Sequence, residues 1–117
     1  MKSEQLFKIG GGLLSLAAVL HVVEIFGAFA TANANQAALG ISICYALFLF
    51  AFGLINVLIS RMGFPISLYR SFTLINMILW GLVFAVNALY TTLTPIILHG
   101  IIFIFFLAAH FAKPEYD

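Results

Sequence analysis

The stretch LHVVEIFGAFA, residues 20–30, carries two titratable side chains one helical turn apart, His21 and Glu24, inside an apolar run long enough to cross a membrane. A charged residue at the centre of a membrane helix costs ~2.5–3.5 kcal/mol on insertion scales. Side chains that costly face a bundle interior or an aqueous cavity and mark ion, proton or ligand sites. The chemistry they suggest is binding of a proton-linked ion or small solute, with Glu24 the titrating group and His21 its partner. The plainer account is a hydrogen-bonded pair that fixes helix packing, a role that Ser or Asn would fill more cheaply.

The His-x-x-Glu spacing also suits a metal ion, because positions three apart leave a helix on one side. His99 offers a third ligand, so the metal candidates are His21, Glu24 and His99. Metal sites in helix bundles usually draw on several acidic residues, which this chain could supply only by pooling them between copies. Two histidines on facing helices could instead ligate a haem b. The cofactor question therefore stays open between a haem b, a metal ion and none.

Only membrane helices can position these residues. Of 117 residues, 64% are hydrophobic and 8% charged, and the mean hydropathy is +1.17. Soluble domains carry about 25% charged residues, so this chain could not be covered in water. Four segments of spanning length are expected, at residues 7–30, 37–59, 66–90 and 96–112. They make a single all-α integral membrane domain. The first could be mistaken for a secretory signal, but its length and Glu24 favour a retained helix. Cys44 has no partner within the chain and is expected to be a buried structural thiol.

Orientation follows from charge. Lys2, Lys8, Arg61, Arg70 and Lys113 all fall at one end of a four-span arrangement, whereas the connections TANANQ and TTLTP carry no charge. The positive-inside rule then places both termini in the cytoplasm, in the plasma (inner) membrane. A net charge of +1 argues against nucleic acid as a partner.

Each span has one polar or aromatic seam. In the first it is Gly10, Leu14, Ala17, His21, Glu24 and Ala28; in the second, Ser42, Tyr45, Leu49, Asn56 and Ser60. In the third it is Tyr69, Thr73, Asn76, Trp80 and Asn87; in the fourth, His99, Phe103, Phe106 and His110. Turning all four inward gives a compact four-helix bundle with a polar axis. At ~1.5 Å per residue, Glu24 lies ~9 Å from the outer end of its span, His21 ~14 Å, Tyr45 ~12 Å, His99 ~6 Å and Asn87 ~5 Å. These five converge on an outer-half pocket, and Trp80, near mid-depth, could stack on its ligand. Tyr69, Tyr90 and Tyr116 fit an interfacial belt, and His110 a snorkelling position beside Lys113. Close helix packing or flexibility accounts best for the three glycines at 10–12.

No nucleotide loop, nucleophile elbow, cysteine pair or His-Glu-x-x-His motif is present, so a binding or transport protein is expected before an enzyme. In length, number of spans, Glu24 and Trp80, the architecture resembles the small multidrug resistance transporters. That likeness implies that one carboxylate in four short helices suffices for coupled transport. It stops at the charge bias, since antiparallel dimers favour weak Lys/Arg asymmetry and this chain has five against none. The expected partners are the lipid bilayer and either further copies or a larger membrane complex. Two alternatives are a non-catalytic anchor of a redox complex that binds haem or quinone, and a structural membrane subunit.

Overall fold

The structure, a computed structural model, describes residues 1–29 and 36–115, without the side chains of 28, 29, 36–38 and 90. Four helices follow in order: α1 (Ser3–Phe29), α2 (Gln36–Ile59), α3 (Ile66–Tyr90) and α4 (Leu93–Phe111). All four are long and apolar enough to cross a membrane, so the chain is an all-α, multi-pass membrane protein. Its long axis of 54 Å exceeds the ~40–45 Å of a bilayer with its headgroups. Ala30 and most of TANANQ lie outside the described residues, as do Tyr116 and the side chains of Ala28 and Tyr90.

Two helices begin earlier than expected. α1 starts at Ser3 rather than Phe7, although Glu4 and Lys8 are charged. Glu4 is tolerated because both its carboxylate oxygens accept the Glu115 N–H, each at 3.0 Å. α4 starts at Leu93 rather than after Pro95. A proline in the first helical turn loses nothing, because N–H groups there have no intrahelical partner.

Three helix seams are packed: α1 on α2, α1 on α4 and α3 on α4. The order around the bundle is therefore α2, α1, α4, α3. The α1–α2 seam is closest where two glycines meet. A Cβ on Gly11 would stand 2.8 Å from the Gly53 carbonyl oxygen, and one on Gly53 2.6 Å from that of Gly11. Small residues at a membrane-helix crossing allow this backbone approach. Between α2 and α3 the chain turns through Gly63, whose φ of 60° favours glycine.

The polar seams do turn inward. Leu14, Ala17, Leu49, Asn56, Tyr69, Thr73, Asn76, Trp80, His99 and Phe106 are all buried, while Leu, Ile, Val and Phe side chains cover the outside. Asn56 Nδ2 donates to Asn76 Oδ1 across the α2–α3 gap at 2.6 Å. Trp80 Nε1 donates to the same oxygen at 3.3 Å, and Asn76 Nδ2 donates to the Phe72 carbonyl at 2.9 Å. Every polar atom of this trio that the packing hides is thereby satisfied within the bundle, as hydrocarbon demands.

Cys44 departs from expectation: it is exposed. It lies one position before Tyr45, on the outward face of α2, where a small, weakly polar thiol is compatible with lipid.

Candidate functional site

At the end away from the lysines and arginines, a cleft of about 520 Å³ opens among all four helices. Its walls include His21 and Glu24 from α1, Tyr45 from α2, Asn87 from α3 and His99 from α4. Those are five of the six residues picked out by helical period and depth. The sixth, Trp80, is set back. It is only 1% exposed and lies behind the lining, its indole stacked on the His99 ring at 6.3 Å and 9°. Phe106 and Phe52 cover its other sides, with centroids at 6.3 and 6.1 Å.

Within the cleft, His21 Nδ1 lies 4.0 Å from Glu24 Oε2. The 33% exposure of the His21 side chain and 64% of Glu24 show that the seam, dry along Leu14 and Ala17, opens at this level. The His21 ring meets Tyr45 edge-to-face at 5.4 Å, which fixes both against the α1–α2 seam. Asn87 Nδ2 donates to the Val83 carbonyl at 2.9 Å, and its Oδ1 accepts from the Thr91 hydroxyl at 3.3 Å. His99 is 7% exposed, and its Nδ1 has no hydrogen-bond partner among the described residues. No lysine or arginine reaches this end, so among the described residues Glu24 has only His21 as an ionic neighbour.

Sequence reasoning missed the rest of the lining. Thr91 and Pro95 belong to the connection TTLTP, and Leu82, Val83 and Val86 fall outside the polar seam of α3, yet all five line the cleft. Their role depends on how α3 stands relative to α2, which no pattern within α3 specifies. Among the described residues, no group of three or more His, Cys, Asp or Glu side chains stands close enough to hold a metal ion. His21, Glu24 and His99 thus share a cleft without converging on one point.

The basic end carries a second polar cluster. Ser3 Oγ shares a hydrogen bond with the Tyr69 hydroxyl at 2.9 Å and donates to the Ala109 carbonyl, and the Ser3 N–H donates to the Lys113 carbonyl at 3.2 Å. Arg70 donates to the His110 and Ala112 carbonyls, which satisfies two groups left open by the end of α4. Thr73 Oγ1 lies 3.0 Å from His110 Nδ1. Two expectations are corrected here. Tyr69 is 4% exposed and bonded to Ser3, so it is no belt residue. His110 turns towards Thr73 instead of snorkelling beside Lys113, because an acceptor or donor inside the bundle outcompetes the interface. Ser3, Tyr69, Arg70, Thr73 and His110 all have hydrogen-bond partners within this cluster.

Compared with protein-family models, curated proteins and solved structures, the chain matches none.

Proposed function

We propose that this protein binds a proton-linked cation or small solute in the outer cleft, with Glu24 as the titrating group. His21 is its partner, and Tyr45, Asn87 and His99 supply further hydrogen-bonding atoms. One observation carries this reading: a cleft of about 520 Å³ gathers polar side chains from four helices around a carboxylate whose one ionic neighbour among the described residues is His21. Clefts of ~300–1,000 Å³ hold small ligands. The one-sided Lys/Arg distribution supports a plasma (inner) membrane protein with both termini cytoplasmic, so that the cleft faces outward.

Below His99 the axis is filled by Trp80, Phe106 and Phe7. The cleft is thus blind towards the basic end, which favours a crossing between copies in an oligomer if the bound species is moved across.

The test is infrared titration of the protonated carboxyl band in liposomes holding the purified protein, with Na⁺, K⁺ or methylammonium added. A cation that binds at Glu24 expels its proton and bleaches the band at constant pH. Glu24→Gln is expected to fold and insert normally and to lose the Glu24 share of the band together with the cation response, leaving the contributions of Glu4, Glu115 and Asp117. Retention of the full response in Glu24→Gln would make the carboxylate structural.

A second reading, a haem- or quinone-binding anchor of a redox complex, is favoured by one observation: His21 of α1 and His99 of α4 line the same cleft. Visible absorption of the purified protein distinguishes it, since a bound haem gives a Soret band.

A further inference from the structure

The ring of helices is not closed. Among the described residues, α2 and α3 share no packed seam like the other three neighbouring pairs. Their links lie from mid-depth towards the basic end: the Asn56–Asn76 hydrogen bond and the Phe52–Trp80 ring contact. Above Trp80, Tyr45 on α2 faces a gap whose other margin is Leu82 and Val86 on α3, all three exposed and all three lining the cleft. Leu82 is seven residues short of Leu89, where the apolar span of α3 ends. The gap therefore sits ~10 Å inside the span, at the level of lipid chains rather than of water.

A gap at that depth leads sideways from the bilayer to Glu24. Among the described residues the carboxylate has one ionic neighbour, His21, at 4.0 Å, and the five lysines and arginines stand at the opposite end. A second copy inserted in the same sense would bring no cation to it. What complements the cleft is a positive head on an apolar chain: the head for Glu24, the chain for Leu82, Val83 and Val86. We propose that the open α2–α3 seam is a side door through which a long-chain ammonium amphiphile enters from the surrounding leaflet and is held by Glu24. This rests on the reading of the cleft as a cation site and names the class of cation.

The molecule carries its own reporter. Trp80 is the single tryptophan, and it is stacked on His99 in the cleft wall. The full chain in phosphatidylcholine nanodiscs would be titrated with a long-chain primary alkylamine bearing a nitroxide midway along its chain. The same chain ending in a carboxylate or an alcohol serves as comparison. The amine is expected to quench Trp80 saturably, and the other two only in proportion to their concentration in the bilayer. Glu24→Gln is expected to weaken amine binding about tenfold or more, the loss of one charge-assisted hydrogen bond. Val86→Phe, which narrows the door without touching Glu24, is expected to weaken it as well, with Trp80 emission in the absence of probe showing that the fold is kept.

Equal, non-saturating quenching by all three probes overturns the proposal. If methylammonium then still bleaches the Glu24 carboxyl band, the cation site stands and only the side door falls; if it does not, both fall. Disulfide trapping between copies through cysteines placed at 82 and 86, in a Cys44→Ser background, together with non-saturating quenching, would assign the seam to a second copy and likewise overturn it.

Discussion

Replacing Asn76 by leucine tests the polar stitch that holds α2 against α3. Asn76 Oδ1 accepts from Asn56 Nδ2 at 2.6 Å and from Trp80 Nε1 at 3.3 Å, and both donors are buried to 1% exposure. Leucine keeps the volume and removes the acceptor, which leaves two N–H groups in an apolar interior. An orphaned donor costs ~1–3 kcal/mol in a protein core, but hydrogen bonds between membrane helices average only ~0.6 kcal/mol, with a maximum near ~1.7. Taking ~1 kcal/mol for each donor, Asn76→Leu is expected to lose about 2 kcal/mol. Asn56→Leu removes one donor and leaves the Asn76–Trp80 bond, for a loss of about 1 kcal/mol. The double variant loses the same two hydrogen bonds as Asn76→Leu alone, so its loss is about 2 kcal/mol, about 1 kcal/mol below the sum of the singles. The assay is reversible unfolding in mixed detergent micelles followed by Trp80 emission, which reports from within the stitch. Strict additivity of the two changes, or an Asn76→Leu variant as stable as the parent, would refute the assignment.

Other outcomes follow from the same geometry. Gly53→Val places a Cβ 2.6 Å from the Gly11 carbonyl oxygen, and the backbone of α1 has to retreat; a loss of about 1–3 kcal/mol is expected. Gly12→Ala, which meets nothing within 4 Å, is expected to cost nothing and to gain up to ~1 kcal/mol from the better helix former in the same unfolding assay. The proposed orientation, with both termini cytoplasmic, is tested by a membrane-impermeant thiol reagent applied outside, which is expected to label a cysteine at Thr92 and to miss one at Met62. Labelling at 62 with protection at 92 would invert the topology.

The helices and their inward faces were legible because each span repeats small or polar residues at helical period on a lipid-like background. Tyr69, Thr73, Asn76 and Trp80 announce one face without reference to any neighbour. The five cleft residues could be placed at one level by rise per residue alone. What period and depth do not carry is who meets whom. Ser3 and Glu4 look like a solvated lead-in until the end of α4 supplies their partners, so the first turn of α1 was read as outside the span. His110 looks interfacial until Thr73 comes within 3.0 Å. Cys44 was placed inside because thiols are commonly buried, but the face it occupies is set by its neighbours Tyr45 and Ala46. The apolar half of the cleft was invisible for the same reason: Leu82 and Val86 differ from other lipid-facing residues only in what α2 fails to cover.

The bond from Ser3 to Ala109 spans 106 residues. At ~5–20 residues per second, a ribosome makes the second partner ~5–20 s after the first. During that interval α1 can settle against α2 through Gly11 and Gly53, but Ser3 and Glu4 still lack the carbonyl and N–H groups they meet in the finished fold. The place beside α1 that α4 will fill, between α1 and α3, is meanwhile open to lipid or to an insertion factor. Docking of α1 to α4 is therefore a late event in the birth of this protein, and truncation before α4 would leave a nascent chain whose most polar helix end has nowhere to dock.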